Sequence, residues 1–266
     1  MTPDERQSAL ETIAADVRGC TACRLHETRT LAVPGEGSAE TEVVFVGEGP
    51  GLNEDRQGRP FVGAAGSFLT ELLGTVGWGR SDVFITNVVK CRPPENRDPE
   101  PDEVAACAGH LRRQLAVIDP ALVVTLGRHS LGSFLPGARI GQVHGTARPA
   151  ATDLLPPEST VFAMYHPAAA LHQGSLRQTL ITDMGEVPRA LLAARERAAA
   201  FSEGSTAAEP EAVAGPEAVA RPGIAADVPA AMPAADAPSA RAAASAPPPA
   251  PGADAEPSAD QLTLFA

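Results

Sequence analysis

Apolar residues gather into four runs of strand length: 42–46 (EVVFV), 82–89 (DVFITNVV), 121–126 (ALVVTL) and 160–165 (TVFAMY). Between and around them the apolar positions recur at helical spacing. Leu10, Ile13 and Val17 mark a helix over 5–18 that stops at Gly19, and Phe68, Leu69, Leu72, Leu73 and Val76 mark one over 66–76. Further helices are predicted at 101–118, near 128–135 and at about 184–200. Pro101 followed by Asp102 and Glu103 reads as a helix start, with proline and acids in the first turn. Strands alternating with helices predict a parallel sheet covered on both faces.

In such a sheet the loops after the strands matter most, because ligands bind at the carboxyl ends of the strands. Those loops are Gly47-Glu48-Gly49-Pro50-Gly51, then Asn87 running on to Lys90-Cys91-Arg92-Pro93-Pro94, then Gly127-Arg128-His129-Ser130, and finally His166-Pro167. All four are expected along one edge. The stretch from Val43 to Gly63 is the strongest candidate for an active-site loop: a buried strand breaks into glycines with Glu48, Glu54 and Asp55 and ends at Phe61. It carries neither G-x-G-x-x-G nor Gly-Lys-Ser/Thr, so neither dinucleotide nor P-loop chemistry is indicated.

Composition changes abruptly near Ala200. From Phe201 to Asp260 the chain is nearly all Ala, Pro, Gly, Ser and acids, which cannot bury enough surface to offset ordering entropy and predicts disorder. Nine acids and two arginines (Arg221, Arg241) beyond residue 200 account for most of the net charge of -12. The mild acidity left on the domain does not favour nucleic-acid binding, yet it permits a local basic patch. No stretch approaches the roughly 20 apolar residues of a membrane span, and the acidic start lacks a secretory signal. A cytoplasmic protein is expected, in which cysteines serve as metal ligands more often than as disulfides.

The cysteines are Cys20, Cys23, Cys91 and Cys107: C-x2-C, a long gap, then C-x15-C. Unrelated buried thiols are one reading. A redox C-x-x-C normally opens a helix after a strand, whereas here a helix precedes it. Four thiolates suit structural zinc and an iron–sulfur cluster equally, and spacing does not separate the two. Either would tie the N-terminal segment to the loop after the second strand.

Several pieces together resemble the family-4 uracil-DNA glycosylases, the iron–sulfur class of that superfamily. They are Gly47-Glu48-Gly49-Pro50-Gly51 with Glu54-Asp55; Gly58-Arg59-Pro60-Phe61-Val62-Gly63; Thr86-Asn87-Val88-Val89-Lys90-Cys91-Arg92-Pro93-Pro94; Asn96-Arg97 with Pro99, Pro101 and Glu103 ahead of Cys107; and His166-Pro167-Ala168. With Cys20 and Cys23 they span most of residues 15–190. No single piece is specific; their order and spacing are. The resemblance implies a three-layer αβα fold on a four-stranded parallel sheet, over residues 1–200, and a [4Fe-4S] cluster on the four cysteines. It also implies a monomeric, monofunctional hydrolase of base excision repair that leaves an abasic site in DNA.

A base inside a duplex must first be flipped into a pocket. By resemblance Phe61 stacks it. Asn87 accepts from N3–H and donates to O4, the pattern that cytosine reverses. His166 aims a donor at O2, where charge gathers on the departing uracil. The attacking water needs a carboxylate beside a sugar of oxocarbenium character. The best-known superfamily branch has an aspartate where this chain has Gly49, an absence that family 4 shares. Asp55 is the favoured holder of the water, with Glu48 at the pocket wall near the uracil 5-position and Gly49 offering its backbone. Ala168–Gly174 resembles the minor-groove loop, with Leu171 as wedge, and Arg92, Arg97, Arg128 and Arg177 are candidate phosphate contacts. The other histidines (His26, His110, His129, His144, His172) are expected at the surface or in local hydrogen bonds. One superfamily branch bonds covalently to DNA through a histidine in the region of 92–97; none stands here, so turnover is expected.

The chain ends Gln261-Leu262-Thr263-Leu264-Phe265-Ala266. QLTLF resembles the peptide by which bacterial repair proteins bind the DNA polymerase sliding clamp, and a tether over 201–260 carrying it at 261–266 would raise local concentration at the clamp. The competing reading is a non-catalytic iron–sulfur protein that binds DNA or the clamp. The intact set of Glu48, Asp55, Phe61, Asn87 and His166 argues against it.

Overall fold

The structure is a computed structural model that describes residues 1–206, with side chains to residue 202. Most of the 201–260 linker and all of the terminal peptide, Gln261 to Ala266, lie outside the described residues. The centre is a sheet of β2 (Val43–Gly47), β3 (Phe84–Asn87), β4 (Leu122–Leu126) and β6 (Thr160–Met164), flanked by β1 (Glu36–Gly37) and β5 (Ala147–Pro149). Strand order is β1-β3-β2-β4-β6-β5.

The four central strands pair in parallel, for example Val46↔Thr86 and Val46↔Thr125, as the apolar runs require. The expectation of four strands is corrected to six, since β1 and β5 add short antiparallel edges. Neither had an apolar pattern to announce it: β1 is Glu-Gly, and β5 is Ala-Arg-Pro, exposed throughout. Proline is tolerated on such an edge because no ladder donor is needed there.

Alternate residues of each central strand enter opposite layers, the period of two that a pleated strand imposes. Val44, Val46, Val123 and Val161 pack with Leu10, Ile13 and Val17 of α1 (Pro3–Gly19) and with Leu111, Leu115 and Ile118 of α5 (Pro101–Ile118). Phe45, Ile85, Val124 and Phe162 pack with Phe68, Leu69 and Leu72 of α4 (Ala64–Thr75) and with Leu180, Met184 and Val187 of α9 (Ser175–Thr206). Helix α5 starts where Pro101, Asp102 and Glu103 signalled it, and α1 starts at Pro3, ahead of the expected residue 5. Thr2 and Glu5 form a capping box, and Glu103 Oε2 accepts the Glu100 N–H at 2.8 Å ahead of Pro101.

Helix α9 begins earlier than the apolar periodicity suggested and runs to Thr206, into the segment assigned to the linker. Short helices α2 (Leu25–Thr28), α3 (Leu52–Gln57), α6 (Arg128–Phe134), α7 (Ile140–Val143) and α8 (Pro167–His172) complete the described chain. Most of the segment expected as a minor-groove loop, Ala168–Gly174, is therefore helical. Among the described residues no helix is long and apolar enough to cross a membrane.

The chain leaves β2 for β3 on one side and then crosses to β4 on the other. That reversal opens a crevice at the carboxyl edge, where such sheets bind ligands.

Candidate active site

A cleft of about 370 Å³ occupies that edge, lined among others by Glu48, Glu54, Phe61, Asn87 and His166. The loops after β2, β3 and β6 therefore converge as their positions implied. Past the ends of the strands the backbone stays paired, because Val88 N–H donates to Gly47 O and Val89 N–H to Glu48 O, both at 3.0 Å. This holds Asn87 against the glycine loop. Gly47 is there for space: a Cβ would lie 2.4 Å from Asn87 Oδ1 and 2.6 Å from the Phe61 ring.

Asn87 is 1% exposed, and its Oδ1 has no hydrogen-bond partner among the described residues. A buried carbonyl oxygen without a donor is costly, so native structures keep one only for a reason. An arriving N–H would relieve it.

His166 caps α8 by accepting the Ala168 N–H on Nδ1 at 3.1 Å. With Nδ1 accepting, the proton of the neutral ring sits on Nε2 as a donor. Burial pushes the imidazole pKa down to about 4, against a small opposing pull from Glu54. The Phe61 ring stacks beside it, with centroids 5.6 Å apart and planes 29° from parallel.

The acids divide differently from the expectation. Asp55 is 2% exposed on α3 and its Oδ1 accepts the Thr30 N–H at 2.9 Å. It does not line the cleft, because the helix that carries it turns it into the protein. The neighbouring Glu54 does line the cleft, but its Oε1 accepts both the Val62 and Gly63 N–H at 2.8 Å. Glu48 remains. Burial raises its carboxyl pKa, His129 and Arg128 oppose that, and Asp98 adds to it. Glu48, Asp98 and His129 bring ligand-type atoms within 4.8 Å of one another at the rim. His129 fits the expectation of local hydrogen bonds, accepting the Arg128 Nε–H at 2.9 Å and lying 3.1 Å from Asp98 Oδ2, and the first turn of α6 also brings it to this rim. His144 fits the expectation, with Nδ1 2.9 Å from Asp183 Oδ2.

The arginines proposed for phosphates each have an internal partner. Arg97 makes a fork on Glu103 at 2.6 and 2.8 Å, helping hold that acid's pKa down at about 2. Arg92 donates to Asn96, Arg128 to Asp98, and Arg177 to Glu71 while lying 4.4 Å over Phe68. Arg128 and Arg177 keep about half or more of their side chains exposed. Leu171 on α8 is 49% exposed beside the cleft residue Ala168.

Away from the cleft, Cys20, Cys23, Cys91 and Cys107 line one pocket together with His26, Arg29 and His110. All four are free thiols. Arg29 Nη1 donates to Cys91 Sγ at 3.0 Å, and Lys90 N–H to Cys107 Sγ at 3.3 Å. Such donors suit sulfur in its anionic, metal-bound form. Four such thiolates suit a structural zinc ion or an iron–sulfur cluster alike.

Comparison with known proteins gives a consistent picture. The profile of the "Uracil DNA glycosylase superfamily" matches residues 34–184. A type-4 uracil-DNA glycosylase of Saccharolobus solfataricus is 46% identical over 188 residues, covering 68% of this chain and 86% of the relative. One from Sulfurisphaera tokodaii is 48% identical over 185 residues, covering 67% and 83%. A bacterial one, from Thermotoga maritima, is 45% identical over 181 residues, covering 67% and 93%.

Proposed function

The chain belongs to the uracil DNA glycosylase superfamily, beside its type-4 members, and we propose that it hydrolyses the bond between uracil N1 and deoxyribose C1′ in DNA, leaving an abasic site. One observation carries the assignment: an orphaned amide oxygen, an aromatic face and an imidazole N–H share one cleft. Uracil N3–H supplies the donor that Asn87 Oδ1 lacks; cytosine N3 has no proton to give. A site whose buried polar group is satisfied only by the right base rejects the wrong one strongly. Phe61 carries the base, and the Nε2–H of neutral His166 meets the charge that develops on O2.

Glu48 is the carboxylate left for the attacking water, since Asp55 faces away and Glu54 is occupied with the Phe61 turn. Flipping exposes the base to this cleft, with Leu171 on α8 as the apolar wedge. Arg128 and Arg177 are the better-placed phosphate contacts, because Arg97 is committed to Glu103.

The cysteine pocket is read as the seat of a [4Fe-4S] cluster on Cys20, Cys23, Cys91 and Cys107. When bound, such a cluster cross-links the end of α1 to the loop that follows Asn87. Iron and sulfide in the purified protein, with a broad absorbance near about 400 nm, are the expected signature; stoichiometric zinc in their place would overturn this reading. The domain at 1–200 acts in the cytoplasm as a monomer, tethered through 201–260 to the sliding clamp by Gln261, Leu262, Leu264 and Phe265. Deleting Gln261–Ala266 should abolish clamp pull-down and leave oligonucleotide cleavage unchanged.

The deciding experiment is single-turnover treatment of a uracil-containing oligonucleotide, followed by alkali. Strand scission is expected with the wild type and reduced on the order of a hundredfold or more in Asn87→Ala and His166→Ala. Intact DNA after treatment with wild type removes the proposal.

A further inference from the structure

Phe61 adopts a φ of 52°, a left-handed conformation unusual for a bulky residue. Such a conformation persists only where the surroundings over-determine it, and here they do so from every side. The Val62 and Gly63 N–H groups both donate to Glu54 Oε1. Helix α4 presses close at Gly66, where a Cβ would lie 1.9 Å from Phe61 O.

The remaining restraint comes from two residues outside the cleft. Arg80 donates from Nη1 to Phe61 O at 3.0 Å and from Nη2 to Pro60 O at 2.7 Å. Its Nε and Nη2 both donate to Glu36 Oε1, at 2.8 and 2.5 Å. Arg80 stands on the 3-10 turn Arg80–Asp82 before β3, and Glu36 on β1. The edge strand that sequence reading missed therefore has a use: pairing Glu36 opposite Ile85 delivers a carboxylate behind the turn that carries Phe61.

We propose that Arg80, clamped by Glu36, is a positioning residue for base excision: it fixes the stacking face of Phe61 by holding the carbonyls of residues 60 and 61. The inference rests on the reading that Phe61 stacks the flipped uracil. Arg80 does not line the cleft, so its effect passes through the turn that carries Phe61. A planar guanidinium suits this task because its fork reaches two carbonyls and a carboxylate at once, which a lysine ammonium cannot reproduce.

The test is a double-mutant cycle in the full-length protein, by single-turnover release of uracil and by binding of uracil-containing duplex. Arg80→Met is expected to lower the cleavage rate on the order of tenfold to a hundredfold with little change in duplex affinity. In a Phe61→Ala background the same change should add less than about twofold, because its route is already gone. Glu36→Gln, a milder variant, should follow the same non-additive pattern at smaller amplitude. Losses that multiply in both cycles overturn the proposal. Amide exchange at Val62 and Gly63 gives a readout independent of activity: faster exchange in Arg80→Met supports the latch, and unchanged protection overturns it. A wild type that leaves uracil DNA intact counts against the reading of the cleft, while multiplicative losses in an active enzyme count only against Arg80.

Discussion

Phe61 and Asn87 face the same cleft, yet the groups standing behind them are of different kinds. Behind Phe61 is Arg80, paired with Glu36, each about a fifth exposed in its side chain. Behind Asn87 is Lys90, 1% exposed, whose Nζ donates to Thr86 Oγ1, Asn87 O and Gln114 Oε1 at 2.6, 2.8 and 2.7 Å. Gln114 in turn donates to Pro34 O at 2.6 Å. One wall rests on a matched ion pair near water. The other rests on an ammonium among neutral oxygens, with no carboxylate paired to it among the described residues. Burial pushes that ammonium down to about 8, with Cys107 opposing. Fully buried polar networks are costly to leave half satisfied, whereas a pair that keeps some contact with water costs less to lose. The stacking wall should therefore be the one that tolerates substitution in stability, and the reading wall the one that does not.

Lys90→Met puts this contrast to its hardest test. The methionine keeps length but removes the ammonium donor from Asn87 O and leaves Gln114 Oε1 with the 3.4 Å bond from Thr86. Each stranded buried acceptor costs about 1–3 kcal/mol, so urea unfolding should show a loss of roughly 2–5 kcal/mol. Arg80→Met, whose bonds are part-buried rather than fully buried, should lose less, on the order of 1 kcal/mol by the same measurement. Equal losses would erase the distinction between the walls.

His166 stands between the walls and offers a smaller perturbation through pH. Its folded pKa lies at about 4, below the ordinary 6.5, so the unfolded chain binds the proton first. Stability from this group is complete above the unfolded value and declines as pH falls from about 6.5 towards 4. Imidazole nitrogen shifts should report the neutral Nε2–H form until about pH 4, where protonating Nδ1 breaks the cap on Ala168. A midpoint near 6.5 would mean that the ring is solvated and the cleft open. Cleavage should fall at higher pH than His166 titrates, because Glu48 takes up its proton above the usual carboxylate value.

The central sheet was legible because four apolar runs left no other use for themselves, and the loop ends gave Glu48, Phe61, Asn87 and His166 with it. The edge strands were illegible, since two or three exposed residues carry no periodicity. The place of Asp55 was illegible for a related reason: Glu54 and Asp55 are adjacent on a six-residue helix, and only its orientation decides which one meets the cleft. Sequence places both there equally. Arg80 and Glu36 left no signal at all, because a side chain that acts on backbone carbonyls 19 and 20 residues away needs no motif. His129 was expected at the surface or in local hydrogen bonds, and that the first turn of α6 sets it beside Glu48 follows only once the parallel order is known.

Arg59→Ala is the mildest probe and separates charge from geometry on the Phe61 side. Arg59 Nε donates to Glu36 Oε2 at 2.8 Å, with its side chain 60% exposed. Glu36 therefore has two arginine partners, Arg59 on both oxygens and Arg80 on Oε1, and only Arg80 goes on to the carbonyls of Pro60 and Phe61. If the latch works through those carbonyl bonds, losing Arg59 removes an exposed pair worth about 0.2–1 kcal/mol and changes uracil release by less than about twofold. The effect should shrink further in added salt, which screens exposed pairs first. A loss as large as that of Arg80→Met would mean that neutralising Glu36 is what matters, and that the stacking wall depends on charge balance rather than on a held backbone.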